Sequence, residues 1–130
     1  MSLKTIKKIK RGAYIVNTAR GGLIDPEALL WGIETGHIAG AGLDVLEKEE
    51  FIKHPEDLLL VSGRKKTTRD AMENAKVSLF NNILIDHPRV IVTPHNAFNS
   101  TEAVERIFAV TVENINAFAN GRPQNIITNG

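Results

Sequence analysis

The 130-residue sequence contains no cysteine. This absence excludes disulfide bonds, thiolate zinc sites and cysteine nucleophiles, and it is typical of a reducing compartment. Aromatic residues make up only 5% of the chain, and no apolar run approaches the roughly 20 residues that span a bilayer. The N-terminus also lacks the apolar stretch of a signal peptide. The sequence therefore predicts a cytoplasmic protein with no membrane partner.

A strong excess of charge of one sign is also missing. Sixteen Lys and Arg residues against fifteen Asp and Glu residues leave a net charge of +1, so no overall field attracts nucleic acid, and no such partner is expected. The basic run of residues 4–11 favours a solvated face of a short helix, with a nucleic-acid patch as the alternative. The content of 42% hydrophobic and 24% charged residues is that of an ordinary globular domain.

Several catalytic motifs are absent as well. The chain has no G-x-S-x-G, no H-E-x-x-H and no histidine pair with metal-ligand spacing, so no metal site is expected. Residues 40–45, GAGLDV, begin like the dinucleotide motif G-x-G-x-x-G, but the third glycine and the following helix start are missing. A phosphate-binding loop is therefore not predicted within this chain.

What is present is the pattern of an α/β protein. Residues 13–17 form a short apolar run typical of a buried strand, and residues 38–45 resemble a second strand that is rich in small side chains. Between them, Asp25 and Pro26 are typical of a helix start, and the helix is expected to run to about Thr35. This order predicts a right-handed βαβ unit with a parallel sheet.

The second half of the sequence is less regular. Residues 50–88 are interpreted as a long loop or insertion with one or two short helices, of which residues 68–76 are the best candidate. Residues 89–93 predict a third strand. Ser100 is typical of the N-cap of a long helix that ends near residue 120. Its apolar residues recur at spacings of three and four, which predicts a buried stripe packed on more than one side.

Polar side chains follow each of the three predicted strands. Arg20 follows the first strand, Asp44 and then Glu49 follow the second, and His95 follows the third. Because the carboxyl ends of parallel strands meet at one edge of a sheet, these side chains are expected to lie close together. An arginine fork suits a carboxylate, and a histidine held by a carboxylate moves protons near neutral pH. The set would suit a 2-keto or 2-hydroxy acid.

Each of these residues also has a purely structural interpretation. Arg20 could be a surface ion-pair residue, and His95 could belong to a capped turn. Glu49 lies in a charge run of the kind that usually forms a solvated face, and Asp44 could begin a turn. Their shared position at one edge of the predicted sheet favours a site.

Four motifs resemble the D-isomer-specific 2-hydroxyacid dehydrogenases. In chain order they are IVNTARGG at 15–22, GAGLDV at 40–45, EKE at 47–49 and TPHNA at 93–97. The resemblance covers residues 4–121 apart from the stretch 50–88. It implies an α/β fold: the C-terminal part of a Rossmann-like, doubly wound NAD-binding domain with a parallel sheet, followed by the long helix at about 100–120. Residues 122–130 would then be a tail. Residues 1–3 are interpreted, apart from the resemblance, as a remnant of protein expression.

The resemblance also implies roles for individual residues. Arg20 matches the arginine that binds the substrate carboxylate and carbonyl, and His95 matches the acid/base that protonates the carbonyl oxygen. Glu49 matches the acid that pairs with this histidine, and Asp44 matches the residue that contacts the nicotinamide carboxamide. The positions that would line the cofactor are Thr18, Ala19, Arg20, Asp44, His95 and Asn96.

The implied activity is hydride transfer between NAD(H) and a small 2-hydroxy or 2-oxo acid of D configuration. NAD is the family default, and NADP stays open because the acid that discriminates them follows the glycine motif. A glutamate at position 49 favours 2-oxo acid reduction, since the related formate dehydrogenases use Gln there and need no proton transfer. The Glu-Glu pair at 49–50 and the long insertion resemble the D-lactate dehydrogenase branch.

Members of this family are more than twice as long as this chain. The resemblance therefore predicts a C-terminal fragment, which lacks the pyrophosphate site and is inactive without its N-terminal portion. A truncated sheet would expose an edge and apolar faces, so a homo-oligomer is expected. The alternative hypothesis is a stand-alone, non-catalytic interaction or regulatory module derived from the same fold.

Overall fold

The computed structural model describes residues 1–53 and 68–127. The chain divides into two compact units, Met1–His95 and Asn96–Gly130. The described elements of the first unit are α1 (Leu3–Ile6), β1 (Ala13–Asn17), a 3-10 turn (Gly21–Leu23), α2 (Pro26–Glu34), β2 (Ile38–Leu43), α3 (Glu50–Lys53), α4 (Thr68–Ile85) and β3 (Val90–Val92). The second unit contains α5 (Thr101–Ala119). Within these described ranges, no helix is long and apolar enough to cross a membrane.

The three strands form one parallel sheet in the order β1-β2-β3. Between β1 and β2 the last paired residues are Asn17 and Leu43, and between β2 and β3 they are Leu43 and Val92. The sequence-based prediction of a parallel α/β sheet is therefore confirmed. β2 and β3 end one or two residues earlier than the sequence pattern indicates, because the residues that follow turn away to form the loops of the candidate site.

Helix α2 begins and ends as predicted. The Asp25 carboxylate accepts hydrogen bonds from the backbone N–H of Glu27 at 3.0 Å and of Ala28 at 3.4 Å, and Pro26 occupies the first turn. Gly36 adopts a φ of +64° beyond the helix, a conformation that favours glycine. These local signals fix the direction of the helix between β1 and β2.

One face of the sheet carries the core, and the other is open. The buried apolar residues are Ile6, Ile15, Ile24, Ala28, Leu29, Ile33, Ile38, Ala41, Leu43, Leu84 and Val90. On the opposite face Tyr14, Val16 and Ile91 are exposed by 77%, 75% and 71%. The alternation of buried and exposed side chains is the period of a strand covered on one face only.

Helix α4 is much longer than the sequence pattern suggests. The sequence pattern indicates a helix only over residues 68–76, whereas α4 runs from Thr68 to Ile85, so the prediction of no more than one or two short helices is wrong for this stretch. The buried positions along the helix include Asn74, Ser78 and Asn81. Because polar residues occupy this stripe, the hydrophobic period that reveals a helix is absent. Residues 54–67 of the predicted insertion lie outside the described part of the chain.

The second unit consists of α5 and its flanking turns. The Ser100 hydroxyl accepts a hydrogen bond from the N–H of Ala103 at 3.2 Å, and Gly121 follows the helix with a φ of +68°, so the predicted start and end are confirmed. The predicted buried stripe is wrong, because no residue of α5 is buried. The described residues of this unit contain no second helix or strand to cover it. The domain bounds at 4, 121 and 122–130 stay predictions.

Candidate active site

A glutamate and a histidine form the centre of the candidate site. The Oε1 atom of Glu49 lies 2.7 Å from Nδ1 of His95, although the two residues are far apart in sequence. Their side chains are 30% and 38% exposed. A carboxylate at this distance accepts the proton of Nδ1 and orients the ring, which leaves Nε2 able to exchange a proton with a bound molecule.

The turn after β3 places His95 against the glutamate. Pro94 ends the strand because proline cannot donate to the ladder, and the N–H of His95 donates to the carbonyl of Thr93 at 2.9 Å. His95 has a φ of +55°, a left-handed conformation that is uncommon for a residue other than glycine. The histidine is thus held by its backbone as well as by its ring.

Asp44 lies at the point where the three strands end. Only 5% of the residue is exposed, and its carboxylate accepts a hydrogen bond from the hydroxyl of Thr93 at 2.5 Å. Its backbone N–H donates to the carbonyl of Asn17 at 2.9 Å. The ends of all three strands are therefore linked through this aspartate.

A cavity of about 410 Å³ lies beside these side chains. Asp44, Glu49 and His95 line it together with Leu46, Ile52, Ile85, Val92, Thr93 and Pro94. Its size and mixed lining fall in the range of small-molecule sites, which are largely apolar with a few polar groups. Three of the residues singled out from the sequence thus border one cavity.

The loop after β1 carries the remaining predicted residues. Asn17 is 6% exposed; its Nδ2 donates to the carbonyl of Arg20 at 2.9 Å, and its Oδ1 accepts from the N–H of Ala19 at 3.2 Å. The Arg20 side chain is exposed and donates to the Ala19 carbonyl at 2.7 Å. Arg20 is not among the residues that line the cavity, and Thr18 is exposed.

Sequence reasoning did not assign a function to Asn17. Its side chain shapes the arginine loop by bonding to the backbone on both sides of the turn. An asparagine at the last position of a predicted buried strand could have indicated this role. Asparagine side chains commonly bond to the backbone two or three residues ahead.

The arginine loop packs directly on the glutamate loop. A Cβ atom added to Gly21 would lie 2.0 Å from the carbonyl oxygen of Leu46, so only glycine allows this approach. Arg20 precedes Gly21 in the first loop, and Glu47, whose backbone nitrogen also meets this Cβ, lies two residues before Glu49 in the second. Arg20 and Glu49 therefore belong to neighbouring loops. That the Arg20 side chain itself lies close to Glu49 and His95 stays a prediction. Asn96 belongs to the second unit, and its predicted cofactor contact stays a prediction.

The residues of the site fit the nicotinamide end of NAD. The buried Asp44 carboxylate lies beside a cavity large enough for a small ring, and a carboxylate can accept a hydrogen bond from a carboxamide. The sequence holds no G-x-G-x-x-G loop for the pyrophosphate. In the described portion of the chain, no group of three or more potential ligands is arranged to hold a metal ion.

Comparison with known proteins identifies a family for this chain. Residues 1–97 match the family described as D-isomer specific 2-hydroxyacid dehydrogenase, NAD binding domain. The chain is 39% identical over 124 residues to a glycerate dehydrogenase of Methylorubrum extorquens. This match covers 94% of this chain and 31% of that protein. The crystal structure of a D-lactate dehydrogenase from Treponema pallidum matches with a TM-score of 0.70 at 34% identity, covering 98% of this chain and 35% of that one.

A structure from Aquifex aeolicus, described as a D-lactate dehydrogenase complexed with NAD and lactic acid, matches with a TM-score of 0.65. Its identity is 33%, and the match covers 93% of this chain and 33% of that one. The chain belongs to the D-isomer-specific 2-hydroxyacid dehydrogenase family, in its NAD-binding domain. It spans about a third of the length of the relatives it matches.

Proposed function

We propose that this chain supplies the catalytic portion of the NAD-binding domain to an enzyme that interconverts a D-2-hydroxy acid and its 2-oxo acid. The 2.7 Å contact between Glu49 and His95 carries the proposal. A structural domain has no need of a half-exposed imidazole held by a carboxylate beside a cavity, whereas proton transfer to a carbonyl oxygen needs both.

His95 acts as the general acid in reduction and as the general base in oxidation. NADH, when bound, would supply the hydride to the carbonyl carbon of the 2-oxo acid. His95 donates a proton from Nε2 to the carbonyl oxygen, so the product is the neutral hydroxyl. Glu49 holds the ring through Nδ1 and balances the positive charge that the imidazolium carries before transfer.

Arg20 binds the carboxylate of the substrate. Its guanidinium is exposed, and its loop rests on the loop that leads to Glu49. A guanidinium fork matches a carboxylate with two parallel hydrogen bonds, which fixes the position of the 2-oxo group. The carbonyl carbon would then lie at a set distance from His95.

Asp44 and the loop after β1 border the nicotinamide in this proposal. Asp44 would accept the carboxamide N–H, and Thr18, Ala19, Arg20, His95 and Asn96 would line the rest of the cofactor. NAD is the cofactor that the family description names. Asp44 belongs to the cavity that holds His95, so cofactor and acid/base would meet there.

The substrate is proposed to be a small 2-oxo acid of the pyruvate type. The Glu-Glu pair at 49–50 and the match to D-lactate dehydrogenases of two organisms support this choice. The protein with 39% identity is, however, a glycerate dehydrogenase, so a panel of acids is needed to separate the substrates.

The proposal also includes partners. Because relatives are about three times as long, a portion outside this chain is proposed to bind the pyrophosphate and to cover the exposed residues Tyr14, Val16 and Ile91. In its absence, the open face would favour association between copies of the chain. The expected cytoplasmic location stays a prediction.

The first test measures NADH oxidation with pyruvate and with longer 2-oxo acids. The isolated chain should show no turnover, and the protein made from the full reading frame that contains this chain should show it. Turnover by the isolated chain would contradict the proposal that part of the site lies outside this chain. A full reading frame without turnover on any acid would favour the stand-alone module.

A further inference from the structure

Two buried asparagines of α4 hold the loop that carries Glu49. The residues are Asn74 and Asn81, which are 5% and 1% exposed. They lie seven residues apart, which is about two helical turns and places them on one face of the helix. Neither residue belongs to the motifs that resemble the family, and neither is explained by the function proposed above.

Asn81 is bonded to the loop backbone. Its Nδ2 donates to the carbonyl of Glu47 at 2.7 Å, two residues before Glu49. Within the described part of the chain, its Oδ1 has no hydrogen-bond partner. The reverse orientation of the amide would place two oxygens in contact at that distance, so the donor must face the loop. Asn81 also lines the small cavity between Gly21 and Glu47.

Asn74 provides a second connection one residue further along. Its Oδ1 accepts a hydrogen bond from Nζ of Lys48 at 2.6 Å. Lys48 adopts a φ of +51°. Residues other than glycine rarely adopt this backbone conformation, so contacts with the surrounding residues must maintain it. The loop thus has a left-handed residue at Lys48 and is bonded to α4 at two points, the Glu47 carbonyl and the Lys48 ammonium group.

An asparagine is a poor choice for packing alone at position 81. A leucine of similar size would fill a fully buried position without leaving an oxygen unpaired. The amide is therefore explained by the one bond that it makes, to the Glu47 carbonyl. That bond fixes the backbone from which the Glu49 carboxylate reaches His95.

We propose that Asn81 is a positioning residue that acts through the Glu47 carbonyl to hold Glu49 against His95. The inference rests on the proposed function, in which this pair moves the proton. Asn81 contacts neither substrate nor cofactor in this account. Its loss should therefore impair proton transfer and leave cofactor binding unchanged.

The test compares Asn81→Leu with Asn82→Leu in the protein from the full reading frame. Both variants make the same chemical change on adjacent residues of α4, but Asn82 is exposed. Asn81→Leu should lower kcat about tenfold or more, since a loop shift below 1 Å already costs alignment, with the KM for NADH unchanged. Asn82→Leu should match the parent protein. Equal kcat values for the two variants would overturn the inference.

A spectroscopic measurement separates positioning from a general loss of structure. While Glu49 accepts the proton of Nδ1, neutral His95 is held in the Nδ1–H tautomer, which imidazole ¹⁵N shifts identify. Asn81→Leu should shift this tautomer toward Nε2–H, and Asn82→Leu should not. An unchanged tautomer in Asn81→Leu would contradict the proposal.

Two further variants keep the outcomes distinct. If circular dichroism shows that Asn81→Leu does not fold, Asn81→Ala removes the same donor with a smaller side chain and should lower kcat in the same direction. A folded Asn81→Ala with parental kcat and tautomer then overturns the inference. In a Glu49→Gln background, Asn81→Leu should cause no further loss of kcat. If Glu49→Gln itself has no effect, the proposed function fails; if only Asn81→Leu has none, the positioning role alone fails.

Discussion

Gly21 offers a stringent test of how the two loops of the site fit together. In Gly21→Ala the new methyl carbon would lie 2.0 Å from the Leu46 carbonyl oxygen, 2.1 Å from its carbon and 2.4 Å from the Glu47 nitrogen. Real Cβ atoms essentially never approach closer than 3.0 Å, so the separation must grow by at least 3.0 − 2.0, or about 1 Å. The contacted atoms are backbone and cannot rotate away.

This displacement should cost stability and alignment together. Overpacking typically costs about 1–3 kcal/mol, and a backbone contact belongs at the upper end of that range. The shift moves the Arg20 loop relative to the Glu49 loop, and a misplacement of about 1 Å can cost on the order of a hundredfold in rate. Gly21→Ala should thus be folded but less stable, with a much reduced turnover in the protein from the full reading frame.

Gly22→Ala is the matched control. The two glycines are adjacent in the same 3-10 turn, and a Cβ at Gly22 would meet nothing within 4 Å. This variant should change the free energy of unfolding by less than about 1 kcal/mol, in the stabilising direction, because alanine restricts the unfolded chain. Urea denaturation with comparable m-values provides the measurement. Equal stability of the two variants would refute the packing of the loops described here.

Three further outcomes are expected. Asp25→Ala should lower the free energy of unfolding by about 0.5–2 kcal/mol in urea denaturation through loss of the α2 cap, while Ser2→Ala, whose side chain caps no backbone N–H, should not. The hydrogen bond to Glu27 raises the pKa of Lys76 above its ordinary value of 10.5. The contribution of this pair to the free energy of unfolding is therefore complete below pH 10.5 and is lost as the pH rises through the raised pKa. Lys76→Met should cause the same small loss of stability at neutral pH and at about pH 9 and none well above the raised pKa, and a loss confined to high pH would contradict this sign. Light scattering should find the isolated chain associated, and a monodisperse monomer would argue against an open apolar sheet face.

The sequence predicted the elements whose local signals are strong. Strand β1 and helix α2 appear with nearly the expected bounds because β-branched residues, a capping aspartate and a terminal glycine each act locally. The length of α4 was missed because its buried stripe contains Asn74 and Asn81, and polar residues on the inner face hide the apolar period.

The site was partly predictable for a similar reason. Parallel strands bring their carboxyl ends to one edge, so Asp44, Glu49 and His95 could be expected together. The roles of Gly21 and Asn81 depend on which backbone atoms they meet across the fold. Such long-range contacts leave no periodic signal in a single sequence, so they emerge only from the structure.

The acid/base role of His95 is the central claim, and one substitution tests it directly. His95→Gln in the protein from the full reading frame removes the titrating group while it keeps a polar side chain. Turnover at saturating pyruvate should fall by about 10²–10⁴-fold, whereas the Kd for NADH, measured by fluorescence, should stay within about twofold. Full turnover in this variant would contradict the assignment.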